Sequence, residues 1–524
     1  MKKYRKIWAV LLTLAMVLGM SMTTMAANIP SEDDKANITV ENVEEGATVS
    51  AYQIITAIYD KNGLVRYDWC AGDKNNQEVE FNNAGNVIGL DDTFITNYAK
   101  TKGLTATATA TATGTTATLT GLTVGTYMIL VTPANNVAGK SYNPMIASVN
   151  YDVKGSGSDN TAGDGSVNAN SNWKVNYVVV YAKSSALALT KSVDDDTKEA
   201  AAEGRSNTGE EVTFTVTTKI PSYSDAYDGN NFKFEIKDEL NTGLKYASDK
   251  PVVKVGGSEV EEGEDKAYTS DFDATKNFFT ISFKQNYLKT LAAPTTNRDV
   301  VITYGAYATE AATIATPGVN TVTLTYSDSL TTTKELPPVS EKVYTFDITG
   351  AIKKVKEDTT TALPGATFTL YKDNRLSDVF ATCTTDDNGT IAFSGLGALE
   401  NGQTKGTGVY YLKETAAPGG YTINDTVYRV EIKNIQRTST ADDTIKSYDV
   451  VVTNMADTTK TTTTTITVGS NTPTGTTMSI VNTKLNALPS TGGIGTTIFT
   501  IGGCAIMIAA AFLFFASRKK NENR

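Results

Sequence analysis

The sequence predicts an all-β chain of three tandem Ig-like β-sandwich domains, preceded by a cleaved signal peptide and followed by a transmembrane helix. Runs rich in Thr, Val and Tyr alternate with period two, and clusters of Gly, Asn and Asp interrupt them at short intervals. Between its two ends the sequence has no long stretch of helical periodicity. Its 524 residues suffice for about three domains at roughly 100–200 residues per domain.

The composition excludes several classes of function. A net charge of −10 argues against a nucleic-acid binder, and the absence of histidine rules out Ser-His and Cys-His catalytic pairs and His-ligated metal sites. Three cysteines, Cys70, Cys383 and Cys504, are too few for a dense disulfide framework. The acidic loops lack the spacing of an EF-hand. We therefore expect a protein that is not an enzyme and that needs no cofactor or metal.

The first 26 residues have the pattern of a secretory signal peptide. A basic start over residues 2–6 precedes an apolar run over residues 7–20 and small residues that end at Ala26 and Ala27. The alternative is an N-terminal membrane anchor, but the apolar run is short for a bilayer span. We expect cleavage after Ala26 or Ala27 and a secreted mature chain.

The C-terminal end combines a short motif, an apolar stretch and a basic tail. The motif consists of Leu488, Pro489, Ser490, Thr491 and Gly492. Residues 494–516 are apolar and long enough to cross a bilayer, and residues 517–524 are basic. This order resembles the cell-wall sorting signal of Gram-positive surface proteins. The resemblance implies that a sortase cuts between Thr491 and Gly492, holds the Thr491 carbonyl as a thioester and passes it to an amine.

An internal repeat relates the first and last parts of the chain. Residues 365–371 echo residues 46–52, and residues 408–414 echo residues 125–131. The first and last domains therefore look like variants of one sandwich. The predicted domains are residues 27–183, 184–345 and 346–487.

Strand parity places polar and ionisable residues in apolar rows of the last two domains. Each of these domains has the order lysine early, acid midway and asparagine late. The residues are Lys191, Asp238 and Asn320 in the middle domain, and Lys354, Glu414 and Asn482 in the last domain. Isolated charges are rarely left inside a core, so we expect each set to act together.

Burial gives such a set a chemistry. Desolvation lowers the pKa of a lysine and raises that of a carboxylic acid, which leaves a neutral amine and a neutral acid beside a carboxamide. The acid can polarise the carboxamide and shuttle protons, and contact raises the effective molarity to roughly 10⁵ M or more. Attack by the amine would expel ammonia and leave a Lys–Asn isopeptide bond. The alternative is that Lys191 and Lys354 lie near strand ends and extend to water.

The last domain carries a motif that resembles the E-box of Gram-positive pilins and Cna-B-type adhesin domains. It reads Tyr-Leu-Lys-Glu-Thr-Ala-Ala-Pro-Gly-Gly-Tyr over residues 411–421. In that family the glutamate of the E-box promotes the isopeptide bond. The resemblance therefore gives Glu414 this role between Lys354 and Asn482.

The middle domain resembles the isopeptide-forming second domain of shaft pilins. The resemblance gives Asp238 the role of the acid between Lys191 and Asn320. The first domain has Val131 where the E-box would have its glutamate, and we expect no bond of this type there.

A further lysine, Lys183, ends the first domain. We expect the strand before it to present one face made of Trp173, Val175, Tyr177, Val179 and Tyr181. The segment resembles the pilin motif, whose usual ending is Tyr-Pro-Lys, although Ala182 replaces the proline that would fix φ. The resemblance implies that the Lys183 amine attacks the sortase-bound Thr491 of the next subunit. The alternative is a solvated lysine at a domain boundary.

The resemblance implies a secreted, sortase-assembled major pilin, the shaft subunit of a covalent fimbria anchored to the cell wall. The implied partners are other copies of the chain joined head to tail, a class C pilin sortase, a housekeeping sortase with peptidoglycan, minor tip or base pilins, and a host receptor. A monomeric wall-anchored adhesin is the first alternative and would not use Lys183. A surface hydrolase is the second, but no catalytic motif points to it.

Overall fold

The computed structural model describes residues 29–83, 85–99, 101, 104–153, 173–194, 203–204, 208–209, 211–227, 232–247, 249–291, 296–399, 408–438, 444–470, 472–485 and 494–521. The expected signal peptide and the motif at residues 488–492 lie outside these ranges. The chain forms two compact units. The first runs to Phe346 and includes Gly395–Ala398, and the second consists of Asp347–Ser394 and the residues from Leu399 onward. Strands dominate both units, which confirms the all-β prediction, whereas the division into three domains stays a prediction.

The first unit holds two hydrophobic cores, of which the first extends from Ile38 to Ala226. Its sheets have the strand orders β3-β2-β6-β8, with β4 also on β2, and β11-β1-β5, together with the pairs β9–β10 and β7–β12. β1 and β11 run parallel. The elements are β1 (Lys35–Glu41), β2 (Thr48–Asp60), β3 (Gly63–Trp69), a 3-10 turn (Gly72–Lys74), α1 (Asp92–Ala99), β4 (Ala108–Thr111), β5 (Thr116–Thr123), β6 (Gly125–Thr132), β7 (Lys140–Tyr142), β8 (Met145–Val149), β9 (Tyr151–Val153), β10 (Trp173–Val175), β11 (Val178–Tyr181) and β12 (Ser184–Ala186).

The second core of the first unit extends from Leu187 to Val343. Its two sheets have the orders β13-β15-β22-β18-β19, with β17 on β22, and β14-β25-β23-β16-β21-β20, with β24 on β23. Strict alternation of buried and more exposed residues along β15, β16, β22 and most of β23 directs one row of each into this core. The elements are β13 (Thr190–Asp194), β14 (Glu203–Gly204), β15 (Glu211–Lys219), β16 (Phe234–Leu240), β17 (Leu244–Tyr246), β18 (Val252–Val255), β19 (Ser258–Glu259), β20 (Tyr268–Asp271), β21 (Phe278–Phe283), α2 (Gln285–Thr290), β22 (Asp299–Ala308), β23 (Gly318–Ser327), β24 (Thr333–Glu335) and β25 (Val339–Val343).

Hydrogen bonds join the parts of the first unit that surround its two cores. The Gly139 N–H donates to the Tyr326 hydroxyl at 2.7 Å, and Lys334 Nζ donates to the Val137 carbonyl at 2.9 Å. The Asn143 side chain donates to the Ser222 carbonyl at 2.7 Å. The first two bonds hold the loop between β6 and β7 against the second core, and the third holds the turn between β7 and β8.

The second unit is a sandwich of one large and one small sheet. The large sheet has the order β28-β27-β29-β30-β31-β32-β33, and the small one pairs β26 with β34 in parallel. The first and last strands of the unit are therefore neighbours. The strands are β26 (Ile352–Lys356), β27 (Thr367–Tyr371), β28 (Val379–Thr384), β29 (Val409–Ala416), β30 (Val427–Arg437), β31 (Ile445–Asn454), β32 (Thr461–Thr467), β33 (Thr474–Gly475) and β34 (Met478–Asn482).

A long apolar helix, α3 (Ile494–Asn521), follows these strands. Its segment Thr497–Arg518 has 22 residues and a length of about 33 Å at 1.5 Å per residue, enough for a hydrocarbon core of about 30 Å. The helix continues five residues beyond the predicted end at residue 516. Residues 517–521 contain neither proline nor glycine, so nothing in the sequence breaks the helix at residue 516.

We predict that Gly389→Ala destabilises the second unit. The Gly389 carbonyl accepts the Lys354 N–H at 2.7 Å, its φ is +70°, and a Cβ would lie 2.2 Å from the Lys354 carbonyl oxygen. Left-handed strain in a non-glycine residue costs about 1–3 kcal/mol, and calorimetry of the full chain in detergent should show a corresponding loss. Gly419→Ala is the matched control because its Cβ would meet no atom within 4 Å. Equal stability of the two variants would contradict the prediction.

Candidate functional site

Strand alternation brings Lys354, Glu414 and Asn482 together inside the second unit. Lys354 on β26 and Asn482 on β34 lie in the small sheet, and Glu414 lies on β29 in the large sheet. Each residue occupies a buried position of its strand. None of the three is more than 1% exposed. The alternative in which Lys354 extends to water is therefore wrong.

The three side chains form a closed set of hydrogen bonds. Lys354 Nζ donates to Asn482 Oδ1 at 2.5 Å and to Glu414 Oε2 at 3.0 Å. Asn482 Nδ2 donates to Glu414 Oε1 at 2.6 Å. The Asn424 N–H donates to Glu414 Oε2 at 3.0 Å and helps to orient the carboxyl group. One carboxyl group thus bridges the amine and the amide nitrogen.

The surroundings of Lys354 favour its neutral form. Burial lowers the pKa of Lys354, and the hydrogen bond to Glu414 opposes this change. The Lys354 Nζ lies 5.6 Å from the centre of the Phe368 ring. A neutral amine is a nucleophile, and here it contacts a carboxamide whose other end touches an acid. The arrangement can therefore support amide exchange between the two side chains.

Lys191, Asp238 and Asn320 meet inside the second core of the first unit. Lys191 lies on β13 in one sheet, whereas Asp238 on β16 and Asn320 on β23 lie in the other. Lys191 is 6% exposed, and the other two are 0% exposed. A link between Lys191 and Asn320 would join the two sheets, and the alternative in which Lys191 extends to water is wrong.

Tyrosines complete this second set. Lys191 Nζ donates to Asp238 Oδ2 and, at 2.5 Å, to the Tyr304 hydroxyl. The Tyr304 hydroxyl donates to Asp238 Oδ2 at 2.5 Å and accepts from Asn320 Nδ2 at 3.0 Å. Tyr246 donates to Asp238 Oδ1 at 2.9 Å. The amine and the carboxamide therefore both contact the phenol of Tyr304.

Burial shifts the titration of this set toward neutral groups. It lowers the pKa of Lys191 against the opposing effect of Asp238. It raises the pKa of Asp238 against the opposing effects of Lys191 and its hydrogen-bond donors. The pKa of the nearby Glu341 carboxyl is also raised by burial, to about 7. An uncharged amine beside an uncharged acid is the form that the surroundings stabilise.

Tyr304 and Tyr246 are residues of this site that the sequence did not predict. Tyr304 shares the buried row of β22 with Val300, Ile302 and Ala306. A polar group in an otherwise apolar row of a strand is the same signal that identified Asp238. Strand parity alone could have placed it in the core, but not its contact with residues of the other sheet.

The strand register agrees with the internal repeat, in which Val131 occupies the position of Glu414. Val49 pairs with Val131 between β2 and β6, as Phe368 pairs with Glu414 between β27 and β29. Val131 is 1% exposed in the first core. The position of the acid is thus filled by an aliphatic side chain, and the absence of a bond of this type there stays a prediction.

The prediction of one strand face leading to Lys183 is wrong. β10 pairs with β9 and β11 pairs with β1, and two residues outside both strands separate them. Because residues 176–177 are not in a strand, alternation is interrupted and a different row points inward in β11. Val180 is 5% exposed, whereas Tyr177 and Tyr181 are 55% and 59% exposed. The two tyrosines therefore lie on the outer face, together with Lys183.

Backbone hydrogen bonds hold the segment that presents Lys183. The Ala182 N–H donates to the Glu41 carbonyl at 2.8 Å, and the Ala182 carbonyl accepts from Asn42 Nδ2 at 2.7 Å. The Lys183 carbonyl accepts the Asn143 N–H at 3.1 Å, and Lys183 is exposed. A proline at position 182 could not donate the first of these bonds, which gives a physical reason for alanine there.

Two family models match the chain. A prealbumin-like fold domain, SpaA, matches residues 349–447, a range that contains Lys354 and Glu414. An LPXTG cell-wall anchor motif matches residues 480–523, a range that contains Asn482, the sorting pentapeptide and all of α3. The anchor match supports a chain held at the cell wall.

One curated surface protein and two solved pilin structures are similar to this chain over most of its length. The trypsin-resistant surface T6 protein of Streptococcus pyogenes serotype M6 is 27% identical over 584 aligned positions, which cover 97% of this chain and 99% of that protein. The solved T6 backbone pilin of the same serotype has a TM-score of 0.56 at 20% identity, over 87% of this chain and all of that one. The full-length major pilin SpaD of Corynebacterium diphtheriae has a TM-score of 0.48 at 19% identity, over 88% of this chain and all of that one.

The fold likeness, the T6 relative and the two family models agree with the residues that the sequence singled out. The chain accordingly carries a prealbumin-like SpaA domain and an LPXTG cell-wall anchor motif, and it shares the fold of the T6 backbone pilin.

Proposed function

We propose that the chain is the shaft subunit of a covalent pilus, in which a sortase joins the Lys183 amine of one copy to the Thr491 carbonyl of the next. The observation that carries this proposal is the exposed Lys183 on a segment fixed by hydrogen bonds on both sides. A transpeptidase needs an amine that reaches its active site while the backbone stays in place. Repetition of one such link makes a linear filament because the contact does not close on itself.

The proposal includes three domains, residues 27–183, 184–345 and 346–487. The two cores of the first unit support a boundary within that unit, near Lys183. The change of unit at Phe346 supports the second boundary. Lys183 then lies at the junction between the first two domains.

The proposal also includes two internal isopeptide bonds, from Lys191 to Asn320 and from Lys354 to Asn482. Each bond forms when the lysine Nζ attacks the asparagine Cγ and ammonia leaves, with Asp238 or Glu414 as the acid that moves protons. Burial and contact of each set support this chemistry. Each acid acts once on its own chain, so the protein turns over no substrate.

The positions of the bonds suit a fibre under tension. A pull on Thr491 would pass from β34 through the bond to Lys354, then along the chain to Asn320, and through the second bond to Lys191 and Lys183. Residues 355–481 and 192–319 would lie outside this load path. Because strands joined covalently cannot peel apart, neither sandwich would need to unfold under shear.

A class C pilin sortase for polymerisation and a housekeeping sortase for attachment to peptidoglycan are the enzymes that the proposal requires. Minor tip or base pilins and a host receptor are further partners on this proposal. The anchor match supports the wall attachment.

Lys183→Arg tests the polymerisation. We expect the ladder of detergent-resistant multimers from the cell surface to collapse to the monomer, because a guanidinium does not replace the amine nucleophile. The measurement is denaturing electrophoresis with an antibody to this chain. Lys174→Arg, an exposed lysine on β10, is the control and should keep the ladder. An unchanged ladder in Lys183→Arg would favour the monomeric adhesin.

Glu414→Gln tests the internal chemistry of the second unit. Glutamine keeps the shape but cannot accept a proton, so we expect the bond between Lys354 and Asn482 to form about 100-fold more slowly or not at all. Mass spectrometry of digests of the full chain, purified in detergent and denatured, quantifies the linked peptide.

Glu431→Gln is the matched control for this change. Glu431 is also buried, at 6% exposed, but its carboxyl pairs with Arg429 at 2.5 Å. We expect normal linkage in this variant. Normal linkage in Glu414→Gln as well would refute the role of Glu414.

A further inference from the structure

The site in the second core differs from the site in the second unit by a phenol between amine and carboxamide. We propose that Tyr304 is a catalytic residue of isopeptide formation in the second core, where it carries a proton from Lys191 to the amide nitrogen of Asn320. This inference rests on the proposed bond between Lys191 and Asn320 and assigns one of its proton transfers.

The acids of the two sites differ in how far they reach. In the second unit Glu414 contacts both the amine of Lys354, at 3.0 Å, and the amide nitrogen of Asn482, at 2.6 Å. An aspartate side chain is one methylene shorter. The amide nitrogen of Asn320 donates instead to the Tyr304 hydroxyl, at 3.0 Å, and that hydroxyl donates to Asp238. The phenol therefore takes over the second contact that the longer acid makes itself.

The Tyr304 hydroxyl occupies a fixed position between the reacting groups. It lies 2.5 Å from Lys191 Nζ and 2.5 Å from Asp238 Oδ2. The Tyr304 ring packs edge-on against Phe279, with centroids 5.0 Å apart, and stacks on Phe214 at 5.8 Å. The hydroxyl is thus held between both nitrogens before any reaction begins, as proton transfer requires.

The reaction needs a group that moves a proton toward the amide nitrogen of Asn320. The neutral Lys191 amine bonds to Asn320 Cγ, which leaves Nζ with an extra proton and the amide nitrogen without the one that it needs to leave. Tyr304 gives its hydroxyl proton to that nitrogen and receives a proton from Asp238, which takes one from Nζ. The Cγ–Nδ2 bond breaks and ammonia departs. The products are the secondary amide and an unchanged tyrosine.

The surroundings of the Asn320 oxygen make protonation of the Asn320 nitrogen more important than in the second unit. Asn320 Oδ1 is buried and has no hydrogen-bond partner among the described residues. The corresponding oxygen of Asn482 accepts from Lys354. Since none of the described residues donates a hydrogen bond to Asn320 Oδ1, protonation of the Asn320 nitrogen is the main help that the site gives to cleavage of the Cγ–Nδ2 bond.

The test compares Tyr304→Phe with Tyr246→Phe. Both remove a buried hydroxyl that donates to Asp238, but only Tyr304 contacts the reacting nitrogens. In the full chain purified in detergent, we expect the linkage of Lys191 to Asn320 to form about 100-fold more slowly in Tyr304→Phe. In Tyr246→Phe, which alters only one hydrogen bond to Asp238 and keeps the contacts of Tyr304 with both nitrogens, we expect a slowing of less than about ten-fold. The linked peptides are quantified by mass spectrometry after a pulse of synthesis, with the bond between Lys354 and Asn482 as an internal reference.

Normal linkage in Tyr304→Phe, or equal slowing in both variants, would overturn the inference. A wild-type chain without the bond between Lys191 and Asn320 would instead overturn the proposed function of this site. Folding of each variant is checked by calorimetry of the same sample.

The double variant Asp238→Glu with Tyr304→Phe adds a test of reach. A glutamate at position 238 should contact the amide nitrogen directly, as Glu414 does, and restore at least ten-fold of the lost rate. Absence of this rescue would overturn the assignment of Tyr304 as a relay that compensates for a shorter acid.

Discussion

The structure depends on the burial of two lysine amines in apolar sandwich cores, each beside an acid and a carboxamide. Removing a charged ammonium from water costs several kcal/mol unless it is paired or neutralised. Lys354 and Lys191 both have lowered pKa values because of burial. Conversion of such an amine to an amide would remove the titratable group altogether and leave a covalent tie in its place. A residue that would otherwise weaken the core then becomes its strongest connection.

The two sites solve the same geometric problem with different side chains. In the second unit the amine and carboxamide lie on adjacent parallel strands, and one glutamate reaches both. In the second core they lie on different sheets, and an aspartate acts with a tyrosine. A glutamate alone can place a proton carrier beside the two nitrogens. An aspartate can do the same when a tyrosine extends its reach. Lys183 has the opposite surroundings, since it is exposed in the connection between β11 and β12.

Much of the fold and of the sites followed from period-two alternation. Alternation depends only on local backbone geometry, so it placed Lys354, Glu414 and Asn482 in apolar rows without knowledge of the sheets. It failed where two residues between β10 and β11 changed the inward row, because register is set by pairing partners distant in the chain. For the same reason it could not show that Tyr304 on β22 meets Asn320 on β23, which belongs to the other sheet. Helix α3 ends five residues after its predicted end. Hydropathy indicates where the apolar segment ends, but it does not indicate where the helix ends.

The most direct test of the buried-amine account is the intact mass of the full chain, purified in detergent and compared with the mass calculated from its determined termini. Each isopeptide bond releases one ammonia, so the account predicts two deficits of about 17 Da each. Lys354→Ala and Lys191→Ala should each retain only one of the two deficits after correction for the substitution. A wild-type mass equal to the calculated value would show that both amines remain free and would contradict the account.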